Sequence, residues 1–494
     1  MLKDIFRGVA RNTAIMLVQQ IVTWASTFLL LLFLPRYLGP VEYGRLFLVV
    51  SVSGIFQHLV NYGGSLALAK DVARDRLATG GLLSGALGLR VVLAGASLAG
   101  LMVFSLAARY DEDVLLLMLI AGVSLFFDGA ITCWYAAFQG NEQLRYTSLA
   151  VIVKRSFISL AGVGALLAGA KALGMVIILS LGSVLNLLML IFNAKVIVAT
   201  VPPLRVRNVT QQLRAGLPYF LLTTFSAVYY RIDAVMLSKM SPEAVVGWYG
   251  AAYRLFDSFG FLPYLVTVAL YPVLSRLWQS DGDAHRRAFQ KTLESLIILG
   301  VPLCIGAIAF GEKLVHLFYG AAAFEPSVIL LQVLSAGLLV LYVDMLFGTV
   351  LLSSDMQKRQ SIIALAAIPL NIGLNLLLIP YTQQQYANGG IGAATATVVT
   401  ELCIMISLLV LVRKRGLLEG FRFQVMGKGI VAGVLMAGSI LLLQGRLPWF
   451  VSALLSAVVY GCAALLLRAL QVSDVVLLAK AMKVRSFSTT KPDL

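Results

Sequence analysis

Apolar residues run along this chain in long stretches bounded by charge, Gly and Pro. A spanning helix needs about 20 mostly apolar residues, and fourteen stretches suit that length: 13–34, 46–66, 82–107, 114–138, 148–168, 173–192, 217–237, 245–274, 295–310, 328–352, 362–379, 391–412, 430–443 and 449–467. The run from 430 is short, and 245–274 is long enough to tilt or to break at Gly260 or Pro263. The pattern predicts an all-α polytopic membrane protein of about fourteen transmembrane helices, with twelve or thirteen as alternatives.

Composition agrees. Of 494 residues 60% are hydrophobic and only 13% charged, with 43 Gly and a mean hydropathy of +0.90, whereas charged residues make up about 25% of soluble domains. Fourteen spans leave no room for a sizeable soluble domain. The net charge of +16 could suggest nucleic acid, but the bases lie between apolar runs rather than in one patch, so they are read first as topology and no nucleic-acid partner is expected. Alternating the connections places Lys3, Arg7, Arg11, Lys70, Arg74, Arg76, Arg145, Lys195, Arg205, Arg207, Arg214, the 276–291 and 358–359 groups, the 413–428 group and the C-terminal bases on one face, 27 of 34 loop Lys and Arg. The other face keeps only Arg36, Arg45, Arg109, Lys171, Lys239, Lys313 and Arg446. Positive charge stays inside, so both termini are expected in the cytoplasm and the helix count should be even. The first run is too long for a signal-peptide core and lacks a small-x-small cleavage site, so it is expected to remain as a span.

Conventional chemistry is scarce. Cys133, Cys304, Cys403 and Cys462 lie inside apolar runs and far apart, as apolar filler rather than a disulfide framework. His58, His285 and His316 fall on three topological levels and do not converge on a metal. No Gly-rich loop ending in Gly-Lys-Ser/Thr is present, so neither a nucleotide cofactor nor an ATPase of that type is expected.

The first twelve spans echo one another. Residues 35–44, Pro-Arg-Tyr-Leu-Gly-Pro-Val-Glu-Tyr-Gly, join spans one and two, and 238–247, Ser-Lys-Met-Ser-Pro-Glu-Ala-Val-Val-Gly, join spans seven and eight. Turn residues at 139–142 and 353–358 follow spans four and ten, each of which carries one acid, Asp128 or Asp344. Six is even, so the second unit enters from the same side as the first, giving two parallel six-helix repeats about an axis along the membrane normal, plus two C-terminal helices. The expected divisions are an N-lobe at 1–200, a C-lobe at 201–415, and a last segment, 416–494, with spans thirteen and fourteen and a cytoplasmic tail whose 473–484 stretch suits an interfacial helix.

Several short motifs carry a family likeness: Arg11-Asn12; Arg36-Tyr37-Leu38-Gly39-Pro40 followed by Glu42-Tyr43-Gly44; Asp71-Val72-Ala73-Arg74; and Asn371-Ile372, Asn375, Ile379-Pro380 with Gly392-Ala393-Ala394-Thr395-Ala396-Thr397 and Glu401. With these the chain resembles the polysaccharide-transport flippases, which carry lipid-linked oligosaccharide and belong to a superfamily that also holds multidrug extruders and murein lipid flippases. The resemblance implies a non-enzymatic carrier in the bacterial inner membrane that moves an undecaprenyl-pyrophosphate-linked oligosaccharide by alternating access. Its expected partners are that substrate, membrane lipids, H+ or Na+, and a polysaccharide polymerase.

Ten ionisable residues fall within the spans: Arg90, Asp128, Lys154, Arg155, Arg231, Asp233, Arg254, Asp257, Asp344 and Glu401. Each would cost roughly 2.5 to 3.5 kcal/mol facing lipid at a helix centre, so they should face the interior, pair, or line water. Arg231 and Arg254 stand eight to ten residues from the turn joining their helices, at one depth of about 12 to 15 Å. Asp257, three residues beyond Arg254, can pair with it, whereas Asp233 points about 200° away from Arg231, leaving Arg231 the freer cation. Arg90, Lys154 and Arg155 form a second tier. Planar guanidinium matches phosphate oxygens in pairs, so these five bases are the substrate-binding candidates. The competing reading is interhelical ion pairing. Asp128, Asp233, Asp257, Asp344 and Glu401 are the ion-coupling candidates, and in a cation-coupled extruder they would outweigh the arginines.

Overall fold

The computed structural model describes residues 2–198, 200, 206–421 and 423–469. In chain order its α-helices are α1 (Leu2–Asn61), α2 (Gly64–Arg74), α3 (Thr79–Ala107), α4 (Glu112–Gly140), α5 (Leu144–Leu167), α6 (Ala172–Phe192), α7 (Val206–Met240), α8 (Glu243–Phe259) and α9 (Phe261–Ser280). Then follow α10 (Gly282–Ala309), α11 (Gly311–Tyr319), α12 (Ala321–Phe324), α13 (Ser327–Ala336), α14 (Leu338–Ser353), α15 (Gln357–Tyr386), α16 (Gly390–Lys414), α17 (Phe423–Leu443) and α18 (Trp449–Leu466). No strand occurs among the described residues. A helix satisfies its backbone polar groups internally, which hydrocarbon demands of a spanning segment. The chain is a polytopic α-helical membrane protein.

Eleven helices among the described residues are long and apolar enough to cross a membrane, or twelve if α13 and α14, bent by 45° at Gly337, form one span. The expected fourteen is not reached by this measure. One reason is α1, where the 47-residue stretch Ile15–Asn61 counts once although it contains the break at Gly39 (φ 72°, ψ 172°) and at 1.5 Å per residue is about 70 Å long, twice the hydrocarbon thickness. The 245–274 run does break at Gly260, between α8 and α9. The 46–66 run breaks where none was expected, at Tyr62 (φ 46°) and Gly63 (φ 62°), and helix resumes as α2 through Arg74. The 473–484 stretch, Arg205 and Arg422 lie outside the described residues.

The chain divides into two compact units. The first comprises Met1–Arg254, Val315–Leu330 and Ser361–Thr397. In it α1 packs on α5, α3 on α4, α4 on α6, and α7 on α1 and α3, around an apolar core that includes Leu68, Leu83, Trp134, Phe138 and Leu190. The second comprises Leu255–Leu314, Leu331–Gln360 and Val398–Leu494. There α10 packs on α14 and α17, and α17 on α18; Tyr342 Oη donates to the Phe259 carbonyl at 2.9 Å and Tyr460 Oη to that of Ile298 at 2.6 Å.

Inside the first unit the echoed turns meet reciprocally. A Cβ on Gly44 would overlap the Glu243 carbonyl oxygen, and one on Gly247 would overlap that of Pro40. Gly44 and Gly247 occupy equivalent places in the echoed decapeptides, as do Pro40 and Glu243 four residues earlier. Each glycine thus admits the backbone of the other repeat, the contact a local two-fold relation produces.

Candidate functional site

Three arginines of the first unit stand in helices with no carboxylate hydrogen-bonded or ion-paired to them among the described residues, although Asp233 lies within electrostatic reach of Arg231. Arg155 on α5, Arg231 on α7 and Arg254 on α8 make no side-chain hydrogen bond or ion pair among the described residues. Arg231 lies over the Tyr253 ring at 5.8 Å and within electrostatic reach of His58. Arg155 and Arg254, 99 residues apart, are brought within electrostatic reach of each other, and Arg155 also of Tyr135. The pairing with Asp257 that a three-residue spacing offers Arg254 is not made. Two like charges held near each other away from bulk water repel, and an opposite charge from outside the chain would relieve both.

The other two candidate bases differ. Lys154 is ion-paired: its Nζ lies 3.2 Å from Asp128 Oδ1 and 3.0 Å from Ser183 Oγ, which donates to the same carboxylate at 2.8 Å. Asp128 is therefore engaged rather than isolated. Arg90 on α3 is 4% exposed with no acceptor for its Nε.

The remaining acids are also engaged. Buried Asp233 accepts from Tyr249 Oη, from Thr397 Oγ1 at 3.3 Å and from the Ala234 N–H at 2.8 Å. Also in the first unit, Asn375 donates to Asn371 at 2.8 Å, and both are fully buried. Asp257 has contacts of its own. In the second unit Asp344 and Glu401, 57 residues apart, hydrogen-bond through their side chains. Two carboxyl groups can do so only around a shared proton. No group of three or more His, Cys, Asp or Glu is placed to hold a metal among the described residues.

Where the α3–α4 and α7–α8 turns come together in the first unit, a second charged cluster surrounds a cavity of about 120 Å³. Arg45 Nε donates to both oxygens of Glu243 at 3.1 and 2.9 Å, and its Nη1 reaches Glu42 at 3.4 Å and Asp113 at 3.2 Å. Glu42 also accepts from the Ala172 N–H at 3.0 Å. Lys239 Nζ donates to the Ala108 carbonyl at 2.6 Å and lies 3.4 Å from the centre of the Tyr110 ring, whose hydroxyl pairs with Ser238 at 2.8 Å. Loss of hydration pushes the Lys239 ammonium below its usual range, and burial raises the Tyr110 phenol.

The family described as polysaccharide biosynthesis protein matches residues 9–278. The chain belongs to that family. The MatE family matches residues 218–377. The probable flippase AglR of Haloferax volcanii is 29% identical over 175 residues, 35% of this chain and 35% of that protein, so the chain spans about a third of the length of this curated relative. Among solved structures, lipid II flippase MurJ in an inward closed conformation covers 94% of this chain and all of its own at a TM-score of 0.75 and 16% identity. An inward-facing multidrug resistance MATE family transporter of the MOP superfamily covers 83% of this chain and 98% of its own at 0.65 and 14%. At these identities the structures establish a shared fold.

Sequence reasoning missed the Arg45 cluster, although Glu42 and Arg45 stand three residues apart and Glu243 sits in the echoed turn. It also missed the Asp344–Glu401 pair, for which no sequence signal exists across 57 residues. The break ahead of α2 did have one, Asn61-Tyr62-Gly63-Gly64 inside an otherwise apolar run.

Proposed function

We propose that the protein is a flippase of a bacterial cytoplasmic membrane, with both termini cytoplasmic, that carries an undecaprenyl-pyrophosphate-linked oligosaccharide outward by alternating access for polysaccharide or O-antigen export. It moves its substrate without altering it chemically. The observation that carries this reading is the set of helix-borne guanidiniums, Arg155, Arg231 and Arg254, to which no carboxylate is hydrogen-bonded or ion-paired among the described residues, two of them within reach of each other's charge. Arginine does not shed its proton, so such groups favour an incoming anion. A pyrophosphate presents oxygens that planar guanidiniums grip in pairs, and a cationic, watered path removes most of the cost of taking that charge through hydrocarbon. Lobes 1–200 and 201–415 would rock about the substrate while 416–494 flanks its isoprenoid tail.

Replacing Arg231 and Arg254 together by Ala abolishes export of the lipid-linked glycan without lowering protein abundance; normal export in the double variant refutes the site. The Asp344–Glu401 pair supports H+ as the coupling ion, and it equally favours a second reading, a cation-coupled small-molecule extruder. Dye efflux that depends on Asp344 and Glu401 but not on the arginines would select the extruder.

A further inference from the structure

We infer that Arg90 and the N-terminus of α2 form a second anion subsite, for a phosphoryl group, separate from Arg231 and Arg254. Arg90 is 4% exposed, its Nε is enclosed without an acceptor, and it makes no hydrogen bond or ion pair among the described residues. Its surroundings are apolar: Val60, Ala94 and Leu125 form a buried cluster one turn further along, and the titratable group acting on it is the buried thiol of Cys133. A buried, permanently charged group with no counter-ion is one of the least favourable arrangements a fold can hold.

The second half of the subsite is backbone. The chain leaves helix at Tyr62 (φ 46°) and Gly63 (φ 62°, ψ 0°), so the 11-residue α2 begins anew within the last three residues of the 46–66 run. No side chain caps it and its first turn carries no acid. The opening N–H groups of a helix have no internal acceptors and carry the positive end of its dipole.

These two features meet at one point. A Cβ on Gly64 would lie 3.0 Å from Arg90 Nη2 and 3.5 Å from Nη1, so the missing side chain is what lets the guanidinium reach the helix start. The stem of Arg90 lies along Gly129, where a Cβ would stand 3.5 Å from Arg90 Cβ and 2.7 Å from Val60. A rigid fork of donors lies beside a helix start that offers backbone N–H groups, with nothing negative hydrogen-bonded or ion-paired to the fork among the described residues. A tetrahedral oxyanion satisfies both, since helix N-termini and planar guanidiniums each favour phosphoryl oxygens. About 17 Å along α3 from its start, Arg90 would offer a phosphoryl group a resting place. The inference deepens the proposed function and rests on it for the source of that group, a phospholipid carrier; the binding of phosphate stands on the geometry alone.

The test uses the full chain in neutral phosphatidylcholine nanodiscs in phosphate-free buffer, reading unfolding temperature against added inorganic phosphate and, in parallel, undecaprenyl phosphate. Unfolding temperature should rise saturably with phosphate. Arg90→Met should weaken that response by about tenfold or more, and without phosphate it should unfold no lower than the parent, because an uncompensated charge has been removed. Arg90→Lys, which keeps the charge but not the fork, should fall between them and decides the matter if Arg90→Met does not fold. A larger shift with undecaprenyl phosphate supports the lipid source, and an equal one supports a free-anion site. In the Arg231→Ala/Arg254→Ala background, which removes the proposed pyrophosphate-binding pair, adding Arg90→Met should still weaken the phosphate response that remains, so failure of export and failure of this subsite are read separately. No phosphate response in the parent, an equal response in Arg90→Met, or a lower phosphate-free unfolding temperature for Arg90→Met overturns the inference.

Discussion

Two charged regions of the first unit use the same residue types to opposite ends. At the turns, Arg45 is held by Glu243, Glu42 and Asp113, and Lys239 caps a carbonyl over an aromatic ring. Within the helices, Arg90, Arg155, Arg231 and Arg254 have no carboxylate hydrogen-bonded or ion-paired to them among the described residues, and Arg155 and Arg254 lie within reach of each other's charge. The difference lies in the acids, which grip the cations where backbones must be locked together and are held by other groups, as Asp233 is by Tyr249 and Thr397, where cations would serve a passing anion. Lys154 belongs with the first group despite its mid-span position, because Asp128 and Ser183 hold it.

The comparison breaks most completely at the glycines. Gly247→Ala drives a methyl group into the Pro40 carbonyl and should cost more than about 3 kcal/mol, removing most folded protein as read by size-exclusion profile and abundance. Next, Arg254→Glu gives the interior the partner it lacks. Beside Arg155 it should form an ion pair, cut export by about a hundredfold and leave unfolding temperature equal or higher, whereas a merely structural Arg254 would yield a less stable protein. At the turns Glu243→Gln should lower stability by about 1 to 2 kcal/mol, since it weakens two charge-assisted bonds from a carboxylate that remains 38% exposed. Asp113→Asn, at 75% exposure and a single contact, should change stability by at most about 0.5 kcal/mol. Equal effects from Glu243→Gln and Asp113→Asn would show that Arg45 is held by its helix rather than by charge.

Much of the fold was legible because hydrocarbon imposes a coarse rule: apolar length makes a span. That rule located the spans and the break at Gly260, but it passed over Tyr62-Gly63, where two positive-φ residues interrupt a run too apolar to betray a boundary. The site was legible by residue type alone. All ten intramembrane ionisable residues could be named from the sequence, yet which were paired could not, because the partners are distant in the chain: Asp128 with Lys154, Asp344 with Glu401, Arg155 beside Arg254. Helical spacing misled once, offering Arg254 an intrahelical partner in Asp257 that it does not take.

By itself the sequence determined that this protein lives in a membrane, that its backbone is helical, and that a turn motif is used twice, since solvent, chain length and local backbone preference act on neighbouring residues. Tertiary structure alone decided that Gly44 and Gly247 interlock, that among the described residues some cations are ion-paired and others are not, and that Arg90 meets the start of α2. Those outcomes depend on electrostatic and steric contacts a few ångströms long, between residues tens to hundreds of positions apart, and such distances are set only when helices pack.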